Sequence, residues 1–260
     1  MKINKIEKMS DDKYKIYLDN DILIIYEDTI IKNNLLYKKE IDDNLYNKLL
    51  EDNKFYDIYN KTVKFILKHR RSEKEVYEYL LKKDLTDDNI KSIISKLKDI
   101  NLINDLEYCK AYINDKVYLG SNGINKIRID LLNQNIPINV IEEQLSNIDI
   151  SILNSKLEKM ILKKIKYNKK YSKSLLRNKI LNEMILLGYS KEDVLNIIDN
   201  NINNTDDNIL EKEFNKCYNT LKSKRKYSCE ELNNKVRQKL ISKGFNLSEI
   251  NELIKKNEEI

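Results

Sequence analysis

The stretches VYEYLLKKDL (residues 76–85), IRIDLLNQNI (127–136), ILNEMILLGY (180–189) and VRQKLISKGF (236–245) share one pattern that decides the fold. Each ends on a small or turn-prone residue followed by a large apolar one, as at the C-terminus of a helix. We number positions from that first junction residue, which is Asp84, Asn135, Gly188 or Gly244. The junctions are 51, 53 and 56 residues apart, an interval regular enough to predict an internal repeat.

Apolar residues recur at fixed distances from each junction, and spacings of −8, −4 and −3 are expected on one face of a helix. The predicted core positions are Val76, Ile127, Ile180 and Val236 at −8; Leu80, Leu131, Met184 and Leu240 at −4; Leu81, Leu132, Ile185 and Ile241 at −3; and Ile90, Ile141, Val194 and Ile250 at +6. Another periodic stretch precedes each pair of helices, so every repeat is predicted to hold three helices. The predicted N-caps are Ser72, Thr86, Ser172, Ser190, Ser228 and Ser248.

The first segment of the chain has a different periodicity. Tyr14, Ile16 and Leu18 alternate with polar residues, which predicts a half-buried strand. The run 22–26 predicts a second strand after a turn at residues 19–21, and residues 3–7 add a third candidate. Because a lone hairpin is marginally stable, we expect this segment to pack on helices.

The sequence therefore predicts a mostly α protein: tandem three-helix repeats stacked into an elongated, curved array behind a small β-containing N-terminal segment. The expected boundaries are residues 1–57 for a β-hairpin with short helices, then 58–104, 105–155, 156–208 and 209–260 for repeats 1 to 4. Alternatively, the last repeat has drifted and serves mainly as a terminal cap.

Composition narrows the class of protein further. Four glycines and one proline are too few for the tight turns of sandwiches, barrels and nucleotide-binding folds. Three cysteines without a C-x-x-C pair are typical of a reducing compartment, and a mean hydropathy of −0.64 without a long apolar run predicts no membrane span. We expect a cytoplasmic protein.

Catalytic and metal centres are not indicated. The single histidine, His69, makes a histidine-based zinc or catalytic centre improbable, and neither a phosphate loop nor a dinucleotide-binding turn is present. Cys109 and Cys217 fall inside helices, where a thiol serves as a small apolar filler. Asp105 and Glu107 are explained more simply by helix capping than by a carboxylate pair. We predict no catalytic, metal-binding or cofactor-binding residues.

Three stretches of the sequence resemble a known family. Residues 67–76 and 79–83 show a leucine, a basic pair, a serine, an acidic residue and then a helix ending in leucine. This pattern resembles the first repeat of the RecX family of recombination regulators. Residues 97–113 match the family's next junction, and Gly120 and Gly123 match its glycine-led second repeat. Asn104 and Lys116 depart from the usual Asp and Arg. An N-cap tolerates Asn for Asp, whereas Lys lacks the planar fork of Arg.

The resemblance implies a non-enzymatic protein that binds the RecA recombinase filament on single-stranded DNA. It implies modulation of strand exchange, homologous recombination and SOS-linked activity, with inhibition as the favoured form. The expected protein is a monomer that contacts single- or double-stranded DNA only weakly. Inhibition and tuning remain alternatives at this stage, as does the surface that contacts RecA.

Basic clusters are the candidate contact residues for RecA or DNA. Between Lys156 and Lys179 stand ten basic residues against Glu158 alone, with tyrosines interleaved. Such density attracts phosphates or an acidic filament surface, although a merely solvated lysine-rich face is the alternative. A basic turn recurs between the first and second helices of repeats 1, 3 and 4, and two residues of repeat 2 complete the set. The candidates are Arg70, Arg71, Lys116, Arg128, Lys169, Lys170, Lys224, Arg225 and Lys226.

A second class of function is a stand-alone helical DNA-binding protein, such as a helix-turn-helix transcriptional regulator. A repressor of that class has one recognition helix with base-reading side chains and a separate dimerisation element. Here the four repeats look alike and no single helix stands out, which favours the filament regulator.

Overall fold

The computed structural model describes residues 1–10, 12–202 and 208–258. The expected end of repeat 3, at residues 203–207, and the last two residues of repeat 4 lie outside the described residues. The chain divides into two compact units, Met1–Lys110 with Gln134–Ile136, and Ala111–Asn133 with Pro137–Ile260.

A three-stranded antiparallel sheet opens the first unit, comprising the two strands of the predicted hairpin and the third candidate strand. The strands β1 (Ile3–Ser10), β2 (Lys13–Leu18) and β3 (Ile22–Tyr26) follow one another in order, with β2 in the centre. Opposite Leu23 of β3 lies Ile16, which is fully buried. Alternation thus turns one face of the sheet into a core with the helices that follow.

The remaining described residues are mainly helical and fall into a short leading helix and four consecutive sets of three. The helices are α1 (Glu27–Lys32), α2 (Asp43–Lys68), α3 (Glu73–Leu81), α4 (Asp87–Asp99), α5 (Asp105–Asn114), α6 (Ile124–Asn133), α7 (Ile138–Ser146), α8 (Ile150–Tyr167), α9 (Lys173–Leu186), α10 (Lys191–Asn201), α11 (Ile209–Lys222), α12 (Cys229–Ile241) and α13 (Leu247–Glu258). A 3-10 turn (Leu35–Tyr37) follows α1, and a π-helical turn (Asp115–Leu119) extends α5.

Helix α2 is continuous through residues 57 and 58, where the hydrophobic pattern places the end of the N-terminal segment. Its first half contributes Leu49 to the core beneath the sheet, and its second half contributes Ile58 and Ile66 to the core of repeat 1. One helix therefore serves two cores. Helix α8 likewise begins at Ile150, ahead of the expected start of repeat 3 at residue 156.

The repeated apolar pattern forms the cores of the repeats. Every residue at −8, −4 and +6 is at most 2% exposed, which confirms those predicted core positions. The prediction for −3 is wrong, because Leu81, Leu132, Ile185 and Ile241 are 42–54% exposed. Side chains of adjacent residues in a helix point about 100° apart, so the core covers the residue at −4 and leaves the residue at −3 exposed.

Five of the six predicted N-caps are confirmed. The hydroxyls of Ser72, Thr86, Ser172, Ser190 and Ser228 each accept a hydrogen bond from the backbone N–H three residues on. Ser248 is not a cap, because α13 begins one residue earlier. Asn246 takes that role, and its side-chain oxygen accepts from the N–H of Ser248 over 3.0 Å.

Consecutive repeats are linked by one recurring contact, which we call the joint. In a joint, the residue that starts a repeat's second helix meets the junction at the end of the next repeat's second helix. The Ser72 hydroxyl donates to the side chain of Gln134 over 2.8 Å. The Gly123 N–H donates to the Leu187 carbonyl over 2.7 Å, and the Ser172 N–H donates to the Lys243 carbonyl over 2.9 Å.

The middle joint depends on two glycines. Gly188 has a φ of +88°, in the left-handed region that favours glycine. A Cβ at Gly188 would lie 2.2 Å from the backbone nitrogen of Lys126, and one at Gly123 would lie 2.5 Å from the Gly188 carbonyl oxygen. The two backbones approach too closely to admit any side chain. Asn135 and Gly244 also have positive φ, whereas Asp84, the first junction residue, does not.

Candidate functional site

The basic turn of repeat 1 is partly committed to holding its own fold. Arg70 is exposed, and its Nη1 donates to the backbone carbonyl of Glu107 over 3.0 Å. Arg71 lies 4.5 Å above the Phe65 ring and pairs with Glu75 at 3.2 Å. Arg71 therefore supports the start of α3, and Arg70 is the more accessible of the two cations.

The basic turns of repeats 3 and 4 are exposed. Lys169 and Lys170 lie between α8 and α9, and the Nζ of Lys170 is 5.1 Å from the centre of the Tyr171 ring. Lys224, Arg225 and Lys226 lie between α11 and α12 and are all exposed. None of these five cations forms an ion pair with another described residue, so their charge is available to a ligand.

The two candidates of repeat 2 are held within the repeat. Lys116 lies in the π-helical turn, with its Nζ 5.1 Å from the ring centre of Tyr112. Arg128 of α6 binds both carboxylate oxygens of Glu142 of α7, the second over 3.1 Å, and holds the pKa of that carboxyl below its ordinary value. Arg128 thus connects two helices and has little capacity left for a partner.

The lysine-rich segment 156–179 separates into bound and free cations. Lys156 donates to the carbonyls of Val117 and Tyr118 and so caps the π-helical turn. Lys164 pairs with Glu183 of α9 over 2.6 Å, and Arg177 of α9 forms a bidentate pair with Asp199 of α10. Among the described residues, no ion pair engages Lys159, Lys163, Lys166 or Lys169.

The titratable residues weighed for a catalytic role, among them Asp105, Cys109 and His69, are either in contact with the fold or exposed. Asp105 accepts the N–H of Glu73 over 2.9 Å, and burial raises its pKa. Burial also raises the pKa of the Cys109 thiol to about 11. His69 follows the last residue of α2 and is exposed. Within the described part of the chain, no three His, Cys, Asp or Glu side chains gather in a metal-binding group, and no helix is long and apolar enough to cross a membrane.

Two lysines of α12, Lys235 and Lys239, escaped the sequence prediction. Together with Lys224 they line a cavity of about 330 Å³ in the last repeat. The candidate turns were marked by consecutive basic residues, whereas Lys235 and Lys239 are four residues apart inside a helix and form no such run. A comparison of the repeats at position −5 would have found Lys239, because repeats 2 and 3 carry Asp130 and Glu183 there.

The fold and these surfaces define a class of protein: a helical-repeat protein with a small N-terminal sheet, in which exposed cations, rather than a pocket of converging catalytic groups, are the prominent polar feature. No family model matches the chain. Individual relatives place it more narrowly.

The chain is 30% identical to "Regulatory protein RecX" of Streptococcus gordonii over 265 residues, which covers 98% of this chain and 99% of that protein. A protein of the same name from Streptococcus pyogenes serotype M4 is 33% identical over 260 residues, covering 96% of this chain and 97% of the relative. The chain belongs to the RecX family of regulatory proteins.

Solved structures show the same fold. A crystal structure of regulatory protein RecX aligns with a TM-score of 0.65 at 21% identity, covering 76% of this chain and 98% of that one. The crystal structure of RecX from Lactobacillus salivarius aligns with a TM-score of 0.50 at 26% identity, covering 56% of this chain and 96% of that one.

Proposed function

We propose that the protein binds RecA recombinase filaments on single-stranded DNA and modulates them, inhibiting strand exchange, homologous recombination and SOS-linked activity. Membership of the RecX family supports RecA as the partner. The observation that carries the proposal is the basic turn that precedes the second helix in three of the four repeats. A filament of repeating subunits around a polyanion is a ligand that a repeated array of cations fits.

The test is RecA-driven ATP hydrolysis on single-stranded DNA with a charge-reversed variant. Arg70, Lys169 and Lys170 are changed to Glu together, since these three are exposed and Arg71 supports α3. Exposed charges contribute within about ±0.5 kcal/mol to stability each, so the melting temperature stays nearly unchanged. The variant loses most of its effect on the ATPase.

A matched control reverses three exposed charges elsewhere, Lys191, Lys255 and Lys256, all to Glu. This control keeps the wild-type effect on RecA. If the turn variant modulates RecA as well as the control does, the basic turns are solvated surface and the contact lies on another face.

Direct DNA binding is proposed as secondary and salt-labile. Lysine contacts to phosphates release counterions without reading sequence, so affinity for oligonucleotides falls steeply between roughly 50 and 200 mM salt. A strong sequence preference that persists at the higher salt would favour a helix-turn-helix regulator instead. We further propose a non-enzymatic monomer acting in the cytoplasm, in keeping with relatives named as regulatory proteins.

A further inference from the structure

A cavity in the last repeat carries charge of one sign only. It has a volume of about 330 Å³ and lies where the turn after α11 faces α12. Three lysines from two elements line it, and no carboxylate of the described residues does. Its polar lining residues are Lys224, Tyr227, Lys235, Gln238, Lys239 and Ser242.

The three ammonium groups have no acidic partner among the described residues. The Nζ of Lys235 lies 4.8 Å from the centre of the Tyr227 ring. Like charges four residues apart on a helix, as in Lys235 and Lys239, repel each other. The neighbouring Arg225 has a φ of +49°, a conformation that costs a non-glycine residue energy and recurs at functional sites. The cavity is thus a concentration of positive charge that the fold itself leaves uncompensated.

Repeats 2 and 3 have an ion-paired acid at the equivalent position, and repeat 1 has the neutral Tyr79. At −5, repeat 2 has Asp130, which pairs with Lys126 over 2.8 Å. Repeat 3 has Glu183 at −5, which pairs with Lys164 over 2.6 Å. The last repeat has Lys239 at −5. Where repeats 2 and 3 place an acid that pairs with a lysine, repeat 4 therefore places a lysine.

We propose that this cavity binds a phosphate group. A carboxylate brings one charge and two acceptor oxygens, whereas a phosphate monoester carries about −1.5 to −2 charges and three acceptor oxygens, a better match for three ammonium groups. The phenol of Tyr227 and the amide of Gln238 are neutral donors on the same wall. The group comes either from a free phosphate compound or from DNA, whose singly charged phosphodiesters match the three lysines because several follow one another along the strand.

The site goes beyond RecA regulation, its DNA outcome rests on the direct DNA binding proposed above, and its test contains no recombinase. The full-length protein is titrated with pyrophosphate by calorimetry and with fluorescein-labelled (dT)20 by anisotropy. Lys239→Glu restores the carboxylate of repeat 3 at −5, so this variant is expected to fold. Lys191→Glu makes the same charge change at an exposed position of α10 outside the cavity. Lys239→Gln serves as a second variant if circular dichroism shows that Lys239→Glu is unfolded.

Pyrophosphate affinity falls about tenfold or more in Lys239→Glu, the effect of losing a charge-assisted hydrogen bond, and stays within twofold in Lys191→Glu. A parallel fall in affinity for (dT)20, with a salt slope reduced by about 0.7 per lost contact, assigns the phosphate to the DNA backbone. An unchanged affinity for (dT)20 assigns it to a free phosphate compound. The proposal is overturned if the wild type binds neither probe, or if both affinities are the same in the two variants.

Discussion

Replacing Gly188 with alanine tests whether the joint between repeats 2 and 3 depends on the absence of a side chain. Two effects combine at this position. The positive φ of +88° is unfavourable for alanine, and the new Cβ would lie 2.2 Å from the backbone nitrogen of Lys126. Because that nitrogen belongs to a helix rather than to a flexible side chain, the two repeats must move apart.

The expected loss of stability is the sum of the conformational cost of alanine and the hydrogen bonds that break when repeats 2 and 3 move apart. The left-handed conformation costs alanine about 1–2 kcal/mol. Two hydrogen bonds cross the joint, from Gly123 N–H to Leu187 and from Asn125 N–H to Gly188, and each contributes about 1 kcal/mol. We expect Gly188→Ala to lower the free energy of unfolding by about 3–4 kcal/mol.

Asn135→Ala is the matched control, because Asn135 occupies the same junction position with a φ of +62° and already has a Cβ. This change imposes the conformational cost without a new clash, so we expect a loss of about 1 kcal/mol. Urea unfolding followed by circular dichroism compares the two variants. Since repeat proteins can unfold in stages, hydrogen exchange at the amides of Gly123 and Asn125 locates the effect.

The exchange data decide the mechanism. Both amides lose protection in Gly188→Ala and keep it in Asn135→Ala if the joint opens as argued. Equal losses of stability in the two variants, with both amides still protected, would refute the reasoning, because the close approach of the backbones would then have no energetic consequence.

Three other predictions concern single side chains. Ser72→Ala lowers the melting temperature more than Ser228→Ala, since both remove a capping box but only the buried Ser72 also bonds across a joint; thermal unfolding compares them. Iodoacetamide at pH 8 alkylates the exposed Cys229 first and leaves Cys109 unmodified in the folded protein, because burial raises the pKa of the Cys109 thiol to about 11; intact mass shows the order. Asp105→Asn raises the free energy of unfolding at pH 7, because folding raises the pKa of the Asp105 carboxyl and its ionised form therefore disfavours the folded state. The gain in stability shrinks as the pH falls through the raised pKa, and urea titrations at several pH values measure this dependence.

The periodicity of the sequence predicts the helices and most of their buried face, but it does not resolve which side of a two-residue apolar pair faces inward. Leu80 and Leu81 are equally apolar, but packing against the first and third helices of the repeat buries Leu80 and leaves Leu81 exposed. Helix α2 shows a similar limit. Its apolar residues belong to two cores, so a change of pattern at residue 57 marks a change of partner and not the end of a helix.

The sequence locates the candidate cations, but it does not show which of them are free of ion pairs and so able to bind a partner. Arg128 and Lys169 are both candidate cations of the sequence, yet Arg128 pairs with Glu142 whereas Lys169 has no ion pair within the described residues. The difference depends on whether the neighbouring helix offers a carboxylate, which is a property of packing. The same holds for Lys239, whose significance comes from the acid that repeats 2 and 3 place at −5.

The joints and the basic turns are adjacent along the chain. Arg70 and Lys170 lie two residues before Ser72 and Ser172, which form joints, so the contact that fixes consecutive repeats also fixes the cations next to it. The middle joint, formed by Gly123, lacks such cations, and there the backbones come closest. Ser228, at the equivalent position of repeat 4, is exposed, and its hydrogen bonds stay within its own repeat, to Glu231. The turn before it is therefore free of that constraint, and it is the turn that brings a lysine to the phosphate cavity proposed above.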